Sequence, residues 1–564
     1  MNRIHFLFIG VLLMVSCQSD MESVRAKGDR YYGGEFSFIS PERVTNLFPL
    51  ATNDVHTQRV NAQLFESLLR LDGQTMKIEP GLAQSYTVDR QQNRYTFKLR
   101  KGVLFHDDPC FEGESREMKA EDVKFSLEMA CSGLSLNKLG ASFSDRIKGA
   151  SDFYQRSRHK IPAKGVEGIV VLDEYTIQIQ LERAYIGFEH MLTMSNLGIF
   201  PKVAYAYYGK ELVDHPIGTG PFQLKQLDKN ALELIKNPDY WRKDEFGNQL
   251  PFLDKIHMRY NPNKQAELRA FHQKEIDIVL QIPVDEIEFV LGSLKEAKAG
   301  KNVRHRVFSQ NSLSIEYIAF SCTDGIFSNE QVRRALNKAI DRQALINDWL
   351  KGEGWPATAG VAPSIGGFMR SSDADQEWFD VDQAKRELAA AGYPGWNGFP
   401  RQVIYVNAFK GSSLHRMCQG IVDQWRKHLG IDVDIKLCTL EERNRAIASG
   451  KAKIWRSGWI ADYPDAENFF SLFYSRTKNR SNPMHYHRDA FNHIFDQVTA
   501  ESDRTKRIQL LKECDQIIQK DAPIIPILTN DFLIMVNSRI RNFKTNPMEL
   551  LDFSTIFIRE PRQL

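Results

Sequence analysis

A long amphipathic segment near residue 420 passes directly into an alternating one, and this pair constrains the fold more than any other part of the chain. Apolar side chains recur at helical spacing from Leu414 to Leu429 and stop at Gly430, a residue type that often ends helices. Residues 431–437 then alternate apolar and polar side chains, as a strand does. A helix followed at once by a strand predicts a mixed α/β architecture.

The same patterns predict further helices. Asp380 and Gln383 form a cap for a helix that runs to Ala391. Ser328 and Gln331 form a capping-box pattern before an apolar stripe. Acidic residues open a third helix at 120–123, where they suit the helix dipole. Strands are predicted at 95–100 and 103–105 around a turn, at 169–172 with 176–181, at 232–235 and at 276–280.

The composition favours several domains without flexible linkers. A chain of 564 residues with 42% hydrophobic residues can bury more than one core, and no Pro/Gly-rich stretch divides it. We therefore expect the chain to cross between domains through structured strands, which makes the domains discontinuous in sequence. The formal net charge is only +3, and no dense basic block occurs, so nucleic acid is a poor candidate partner.

The N-terminus predicts export and a membrane anchor. Arg3 precedes an apolar run from Ile4 to Val15, which is too short to span a bilayer but suits a signal peptide covering residues 1–16. The run ends in Leu-Met-Val-Ser before Cys17 and resembles a bacterial lipobox, so Cys17 is predicted to carry lipid and residues 17–30 to form a polar tether. The alternative is an ordinary secretory signal, which would give a soluble periplasmic or secreted protein.

The remaining cysteines suggest one disulfide. Cys110 lies in a polar loop and Cys131 ends the next helical pattern, so these two are the preferred pair among fifteen possible pairings. Cys418 and Cys514 lie on apolar stripes and are expected to be buried free thiols. No Cys-x-x-Cys or His-Glu-x-x-His pattern occurs, so neither a metal nor another cofactor is expected.

The segment Gly458–Asp465 combines the residue types that capture a charged ligand. Trp459 and Tyr463 offer broad, stiff contact area, while Asp462 and Asp465 offer fixed negative charge. Pro464 restrains the backbone that presents them. A surface turn with solvated acids is the alternative at this point.

A series of motifs resembles those of the family 5 bacterial solute-binding proteins, the peptide- and nickel-type receptors of ABC importers. The motifs occur in the same order over nearly all of the chain from about residue 34: PGLAQSY at 80–86, YTFKLRKGVLFHD at 95–107, AEDVKFSLE at 120–128, GTGPF at 218–222, NPDYWR at 237–242, VRRALNKAIDRQALI at 332–346, GWIADYPD at 458–465 and DAPIIPIL at 521–528.

The resemblance implies the large, three-domain (class II) type of two-lobed periplasmic binding protein fold, with a hinge between the lobes. Domain I is expected to be discontinuous, at 31–75, 201–285 and 523–564, with domain II inserted at 76–200 and domain III at 286–522. Such lobes close around ligand only if the closed form binds the ligand better than the open form does.

The resemblance also implies a binding site. In peptide-binding members, ligand main chain pairs like an added β-strand. The aspartate of a Trp-x-x-Asp segment binds the α-ammonium, which corresponds to Asp462 with Trp459 three positions earlier. Asn53 and Val55 match a region that contacts ligand from the other lobe, and Tyr463 is a further candidate. Ala466 departs from the family, which usually has proline there.

These observations predict a monomeric periplasmic lipoprotein of a Gram-negative bacterium that delivers a peptide to membrane permease subunits. Related receptors bind oligosaccharides, nickel complexes or haem, so the fold leaves the ligand class open. A ligand-sensing lipoprotein without an importer is a second alternative. An exported hydrolase is a third, but Gly-x-Ser-x-Gly and comparable motifs are not apparent, so no enzyme activity is expected.

Overall fold

The computed structural model describes residues 24–559 apart from 45, 53, 283–304, 358–359, 366–367, 369–377 and 477–481. The predicted signal peptide, Cys17 and Asn53 therefore lie outside the described residues.

The first large sheet has seven strands drawn from distant parts of the chain. The central strand is flanked by parallel neighbours, and the remaining pairs are antiparallel. In spatial order the strands are Phe222–Leu227, Ala231–Lys236, Lys255–Tyr260, Glu35–Ser40, Ile278–Leu280, Asp531–Asn537 and His305–Asn311.

A second large sheet has six strands and carries the Gly458–Ile460 backbone. Its order is Trp355–Pro356, Ile524–Thr529, Ser314–Phe320, Ile454–Ile460, Gln402–Asn407 and Val433–Cys438. The last strand follows the helix Ser413–Leu429, whose C-terminus is capped by Gly430 in the left-handed conformation (φ 68°). The helix–strand unit predicted there is confirmed.

A smaller antiparallel sheet contains Ala83–Asp89, Arg94–Leu99, Thr176–Gln180 and Ile169–Asp173 in that order. Short two-stranded pairs join Val24–Ala26 to Arg30–Tyr32, Leu69–Leu71 to Ile78–Pro80, and Ile540–Arg541 to Phe557–Ile558. The predicted tether is wrong from residue 24 onwards, because Arg30 is buried and its Nε lies 3.1 Å from Asp244, which holds this hairpin on the folded body.

The α-helices pack around the sheets over several buried cores. Their bounds are Val55–Leu64, Ala120–Ala130, Gly140–Phe143, Ala150–Arg156, Phe188–Met191, Lys202–Tyr208, Lys264–His272, Glu330–Lys338, Arg342–Trp349, Val381–Ala390, Ser413–Leu429, Leu440–Ala448, Glu467–Phe470, Asp489–Ala500 and Arg504–Asp521. No helix in the described part of the chain is long and apolar enough to cross a membrane.

Two short stretches carry the chain between the large sheets. Asn311 ends a strand of the first sheet and Ser314 begins one of the second, while Thr529 and Asp531 make the return crossing. The Ser312 N–H donates to the Asn530 carbonyl at 3.0 Å, so the crossings lie side by side. Crossing through structured strands agrees with the expectation from the missing linkers.

The predicted boundary residues need correction. The strand His305–Asn311 lies in the first sheet, although the boundary at 286 assigns it to domain III. The strand Ile524–Thr529 lies in the second sheet, although the boundary at 523 assigns it to domain I. The sheet of each strand follows from its pairing, since His305–Asn311 pairs with Asp531–Asn537 and Ile524–Thr529 pairs with Ser314–Phe320. Such pairing is a long-range property that local pattern does not contain. The three-domain division itself stays a prediction.

Local capping predictions were partly wrong. Asp380 accepts a hydrogen bond from the Gln383 N–H at 2.8 Å, as predicted. Ser328 instead belongs to a 3-10 turn, and Asn329 caps the helix by accepting from the Gln331 N–H at 2.9 Å. The second strand predicted at 103–105 is reduced to a single bridge between Leu104 and Glu117.

The predicted disulfide is absent, since Cys110 and Cys131 are both free thiols. Cys131 caps the C-terminus of the helix Ala120–Ala130, whereas Cys110 sits in the turn Pro109–Phe111 against Asp108. Burial and the Asp108 carboxylate raise the pKa of Cys110 to about 12, and burial also raises that of Cys131. Both thiols are thus held protonated and unreactive. Cys418 and Cys514 are buried free thiols, as predicted.

Several of the shared motifs meet in one buried network at the end of the helix Val55–Leu64. Glu66 accepts hydrogen bonds from Thr219 at 2.9 Å and from Trp241 at 2.8 Å. Burial raises the pKa of the Glu66 carboxyl, while these donors lower it. The Gly220 N–H donates to the Leu64 carbonyl at 2.9 Å. The GTGPF and NPDYWR motifs therefore position this helix.

Gly218→Ala is expected to lower the free energy of unfolding by about 1–3 kcal/mol, because overpacking a close contact forces the backbone to move. A Cβ at Gly218 would lie 2.1 Å from the Leu64 carbonyl oxygen. Urea unfolding measures the change, and Gly73→Ala is the control because nothing lies within 4 Å of its added Cβ. Equal stability of the two variants would contradict this role for Gly218.

Candidate ligand-binding cleft

Two cavities lie between the structures built on the two large sheets. The large cavity, of about 590 Å³, is lined from one side by Phe38 and Lys264 and from the other by Glu316 and Leu414. The anchor cavity, of about 340 Å³, is lined by Val55 from one side and by Gly458, Trp459 and Asp462 from the other. Arg59 borders both cavities. Their volumes are those of small-molecule binding sites.

Three of the sequence-predicted residues meet at the anchor cavity. Val55 begins the helix that Asp54 caps through the Thr57 N–H at 2.8 Å. Trp459 lies in the strand Ile454–Ile460, opposite Ile315, and Asp462 is exposed just beyond the strand's end. The strand places Trp459 at the wall of the anchor cavity. It ends at Ile460, and the Asp462 carboxylate beyond it borders the same cavity.

Asn468, which the sequence did not single out, orients both residues. Its side-chain oxygen accepts hydrogen bonds from Trp459 Nε1 at 2.8 Å and from the Asp462 N–H at 3.1 Å. Its amide nitrogen donates to Asp462 Oδ2 at 3.2 Å. Asn468 is itself buried, and a short helix beginning after Ala466 presents it. An asparagine six residues beyond the aspartate thus holds both residues of the Trp-x-x-Asp segment in place.

The Tyr463 side chain is buried and connects its own segment to the segment that carries Tyr185. Its hydroxyl lies 2.7 Å from that of Tyr185, and both hydroxyls reach one carboxylate oxygen of the buried Glu467. Burial and the Glu467 charge raise the pKa of Tyr463 well above its usual value, so it remains a neutral phenol. Tyr463 borders a third, smaller cavity, and its predicted role in binding ligand stays a prediction.

Asp465 has a structural part in the same segment. Arg507 binds it through two parallel hydrogen bonds of 2.8 and 2.9 Å, and Asp465 also accepts from the Glu467 N–H at 2.8 Å. The pair is largely buried, with side-chain exposures of 13% and 11%. A forked pair of this kind fixes the turn after Asp462.

Arg59 and Glu549 form a buried ion pair beside the anchor cavity, and Arg59 also borders the large cavity. Arg59 Nη2 lies 2.8 Å from Glu549 Oε2, and each side chain is 4% exposed. Glu549 also accepts from Ser312 Oγ at 2.8 Å, which connects the pair to the chain crossings. Burial lowers the pKa of Arg59, and the Glu549 charge opposes that shift. Because the partners are 490 residues apart, sequence pattern offered no signal for them.

The geometry is that of a cleft between two sheet-based halves, and comparison with known structures gives the fold. The ABC transporter-associated periplasmic binding protein DppA of Helicobacter pylori, solved in complex with the peptide STSA, matches 94% of this chain and 99% of that one, with a TM-score of 0.78 and 24% identity. The fold is therefore the two-lobed periplasmic binding protein fold, as the motifs predicted.

Sequence comparison then gives the family. The model for bacterial extracellular solute-binding proteins, family 5, matches residues 77–481, and the chain belongs to this family. Heme-binding protein A of Haemophilus influenzae is 26% identical over 495 residues, covering 86% of this chain and 85% of that protein. Di/tripeptide-binding protein 1 of Pseudomonas aeruginosa is 26% identical over 510 residues, covering 88% of each.

Proposed function

We propose that this protein is the receptor of an ABC importer and captures a peptide in the cleft between its lobes, with Asp462 holding the peptide's α-ammonium. The observation that carries the proposal is the carboxylate of Asp462, exposed into the anchor cavity and oriented by a buried asparagine. A fixed, oriented carboxylate inside a cleft suits a cationic group, because hydrogen bonds to charged partners are the strong ones.

The cleft also offers the surface that a peptide main chain requires. The strand Ile454–Ile460 pairs with Gln402–Asn407 at Ile454 and Trp455, and further along, Gly458 borders the anchor cavity. A peptide extending from Asp462 past Arg59 reaches the large cavity, whose wall includes Phe38, Leu280 and Leu414. Main-chain pairing with roomy side-chain space accepts many sequences.

The peptide ligand is supported by relatives and by structural neighbours. The Pseudomonas aeruginosa relative is a di/tripeptide-binding protein, and the Helicobacter pylori structure contains a bound tetrapeptide. The Haemophilus influenzae relative is a heme-binding protein, so identity at this level leaves ligand class to be decided by the site. The Asp462 carboxylate favours the peptide.

The cellular setting follows from the same proposal. Cys17 carries the lipid that holds the protein at the membrane of a Gram-negative periplasm, and the chain acts as a monomer that passes ligand to permease subunits. The protein binds its ligand without transforming it. A radiolabelled fatty acid incorporated by the wild-type chain and not by Cys17→Ser tests the anchor.

Native mass spectrometry of the protein purified without added ligand, followed by titration calorimetry, tests the ligand class. We expect co-purified peptides, and we expect trialanine to bind more tightly than N-acetyl-trialanine, because acetylation removes the ammonium. Co-purified haem, sugar or metal complex, or equal affinity for the two peptides, would overturn the proposal.

A further inference from the structure

Within the described part of the chain, no group accepts a hydrogen bond from the Arg146 guanidinium, which borders the same space as Asp462. It comes from the chain after the short helix Gly140–Phe143, and its backbone is held by the Phe143 carbonyl at 3.1 Å and by the Glu182 N–H at 2.8 Å. Among the residues that the structure describes, no acceptor binds its guanidinium, and its Nε is buried without a partner. A buried charged group without a hydrogen-bonding partner is costly, so a ligand that supplies an acceptor for the guanidinium would be favoured.

A small rear cavity of about 80 Å³ lies behind the anchor cavity. Arg146 and Tyr185 border it from one side, and Asp462 and Asn468 border it from the other. Met194, Trp459 and Asp462 border both this cavity and the anchor cavity, so the two spaces are neighbours at the predicted anchoring residue. The rear cavity has room for a few heavy atoms only.

Arg146 is held in position and keeps its charge. Its guanidinium carbon lies 3.9 Å from the centre of the Tyr185 ring, a cation–π contact that fixes the plane and leaves the N–H edges available. Burial acts to lower the pKa of Arg146, but Tyr185 and Glu467 outweigh burial and raise it. Glu467 balances part of the charge. Its Oε1 makes no hydrogen bond to a residue that the structure describes, and its Oε2 accepts from the two tyrosines.

We propose that Arg146 binds a carboxylate at the same end of the ligand whose ammonium Asp462 holds. The preferred ligand then ends in a group that bears an ammonium and a carboxylate on one carbon, as a γ-glutamyl peptide does. This inference rests on the proposed function and narrows it. Such an end group contacts Asp462 on one lobe and Arg146 on the other, so it binds the closed form better than the open form.

Two isomeric peptides of identical composition, γ-Glu-Ala-Gly and α-Glu-Ala-Gly, test the inference by titration calorimetry. We expect the wild-type protein to bind the γ isomer at least about 10-fold more tightly, since a hydrogen bond to a charged group contributes at that level. Arg146→Gln is expected to abolish the preference, and Arg146→Lys to retain part of it, because lysine keeps the charge but loses the planar fork.

Arg156→Gln is the matched control, because Arg156 is a partly exposed arginine on the neighbouring helix that pairs with Asp152 at 2.7 Å. It should leave both affinities unchanged. Equal binding of the isomers by the wild-type protein, or a γ preference that survives in Arg146→Gln, overturns the inference while leaving the peptide proposal intact. If neither isomer binds, the inference fails, and the comparison of trialanine with its acetylated form decides the peptide proposal separately.

Discussion

Asp462→Asn will weaken the binding of trialanine by about 10- to 150-fold, because a hydrogen bond to a charged group contributes about 1.5–3 kcal/mol. The asparagine has nearly the same shape, and its side-chain oxygen can still accept from Asn468, so the turn should keep its form. What the variant loses is the negative charge that balances the ligand's ammonium. Titration calorimetry at two salt concentrations measures the loss.

An acetylated peptide and a control variant show whether the effect comes from the Asp462 charge. N-acetyl-trialanine should bind the wild-type protein and Asp462→Asn with equal affinity, because it carries no ammonium for the carboxylate to hold. Asp432→Asn is the control at an exposed ion pair with Arg426, and it should leave binding unchanged. If Asp462→Asn weakens the acetylated peptide just as much, the carboxylate supports the cleft wall and does not anchor the ligand.

Arg59→Met will lower the free energy of unfolding of the ligand-free protein by about 3–5 kcal/mol, because it leaves the buried Glu549 carboxylate without its counter-ion. The loss exceeds that of an exposed pair because both side chains are almost fully buried. The helix Val55–Leu64 should also become less firmly attached to the C-terminal segment. Urea unfolding followed by circular dichroism measures the change.

The double variant Arg59→Met/Glu549→Gln tests whether the loss comes from the unpaired Glu549 charge. Removing the second charge should recover a substantial part of the lost stability, since a neutral amide is less costly to bury than a lone carboxylate. Arg426→Met at the exposed Asp432 should change stability by no more than about 1 kcal/mol. A double variant as unstable as Arg59→Met alone would show that the arginine stabilises through packing on Phe532, whose ring centre lies 5.1 Å away.

Local pattern was sufficient wherever one segment determines its own structure. The stripe ending at Gly430 predicted the helix Ser413–Leu429, because spacing and a left-handed cap are both written in consecutive residues. The choice between Ser328 and Asn329 as a cap could not be made in this way. Both are good capping residues, and the turn Gly325–Ser328, packed through the buried Phe327, decided between them.

In the candidate site, too, local sequence predicted some residues and tertiary structure alone revealed others. The spacing of Trp459 and Asp462 was readable in the sequence, and both side chains reach the anchor cavity. Asn468 was within reach of the same segment, and a search for amide side chains on the following turn would have found it. Arg59 and Arg146 were not readable, because they approach the cleft from the other lobe and only the tertiary structure brings them there.

The strand order of the seven-stranded sheet determines when the first lobe can complete its folding. Glu35–Ser40 pairs with Ile278–Leu280, which in turn pairs with Asp531–Asn537, so the sheet keeps an open edge until residues near 535 have been made. A growing chain therefore cannot complete its first lobe early, and pairings this distant in sequence form slowly. Under the export that we propose, that delay would leave the polypeptide unfolded enough to pass through a translocation channel before its structure becomes fixed.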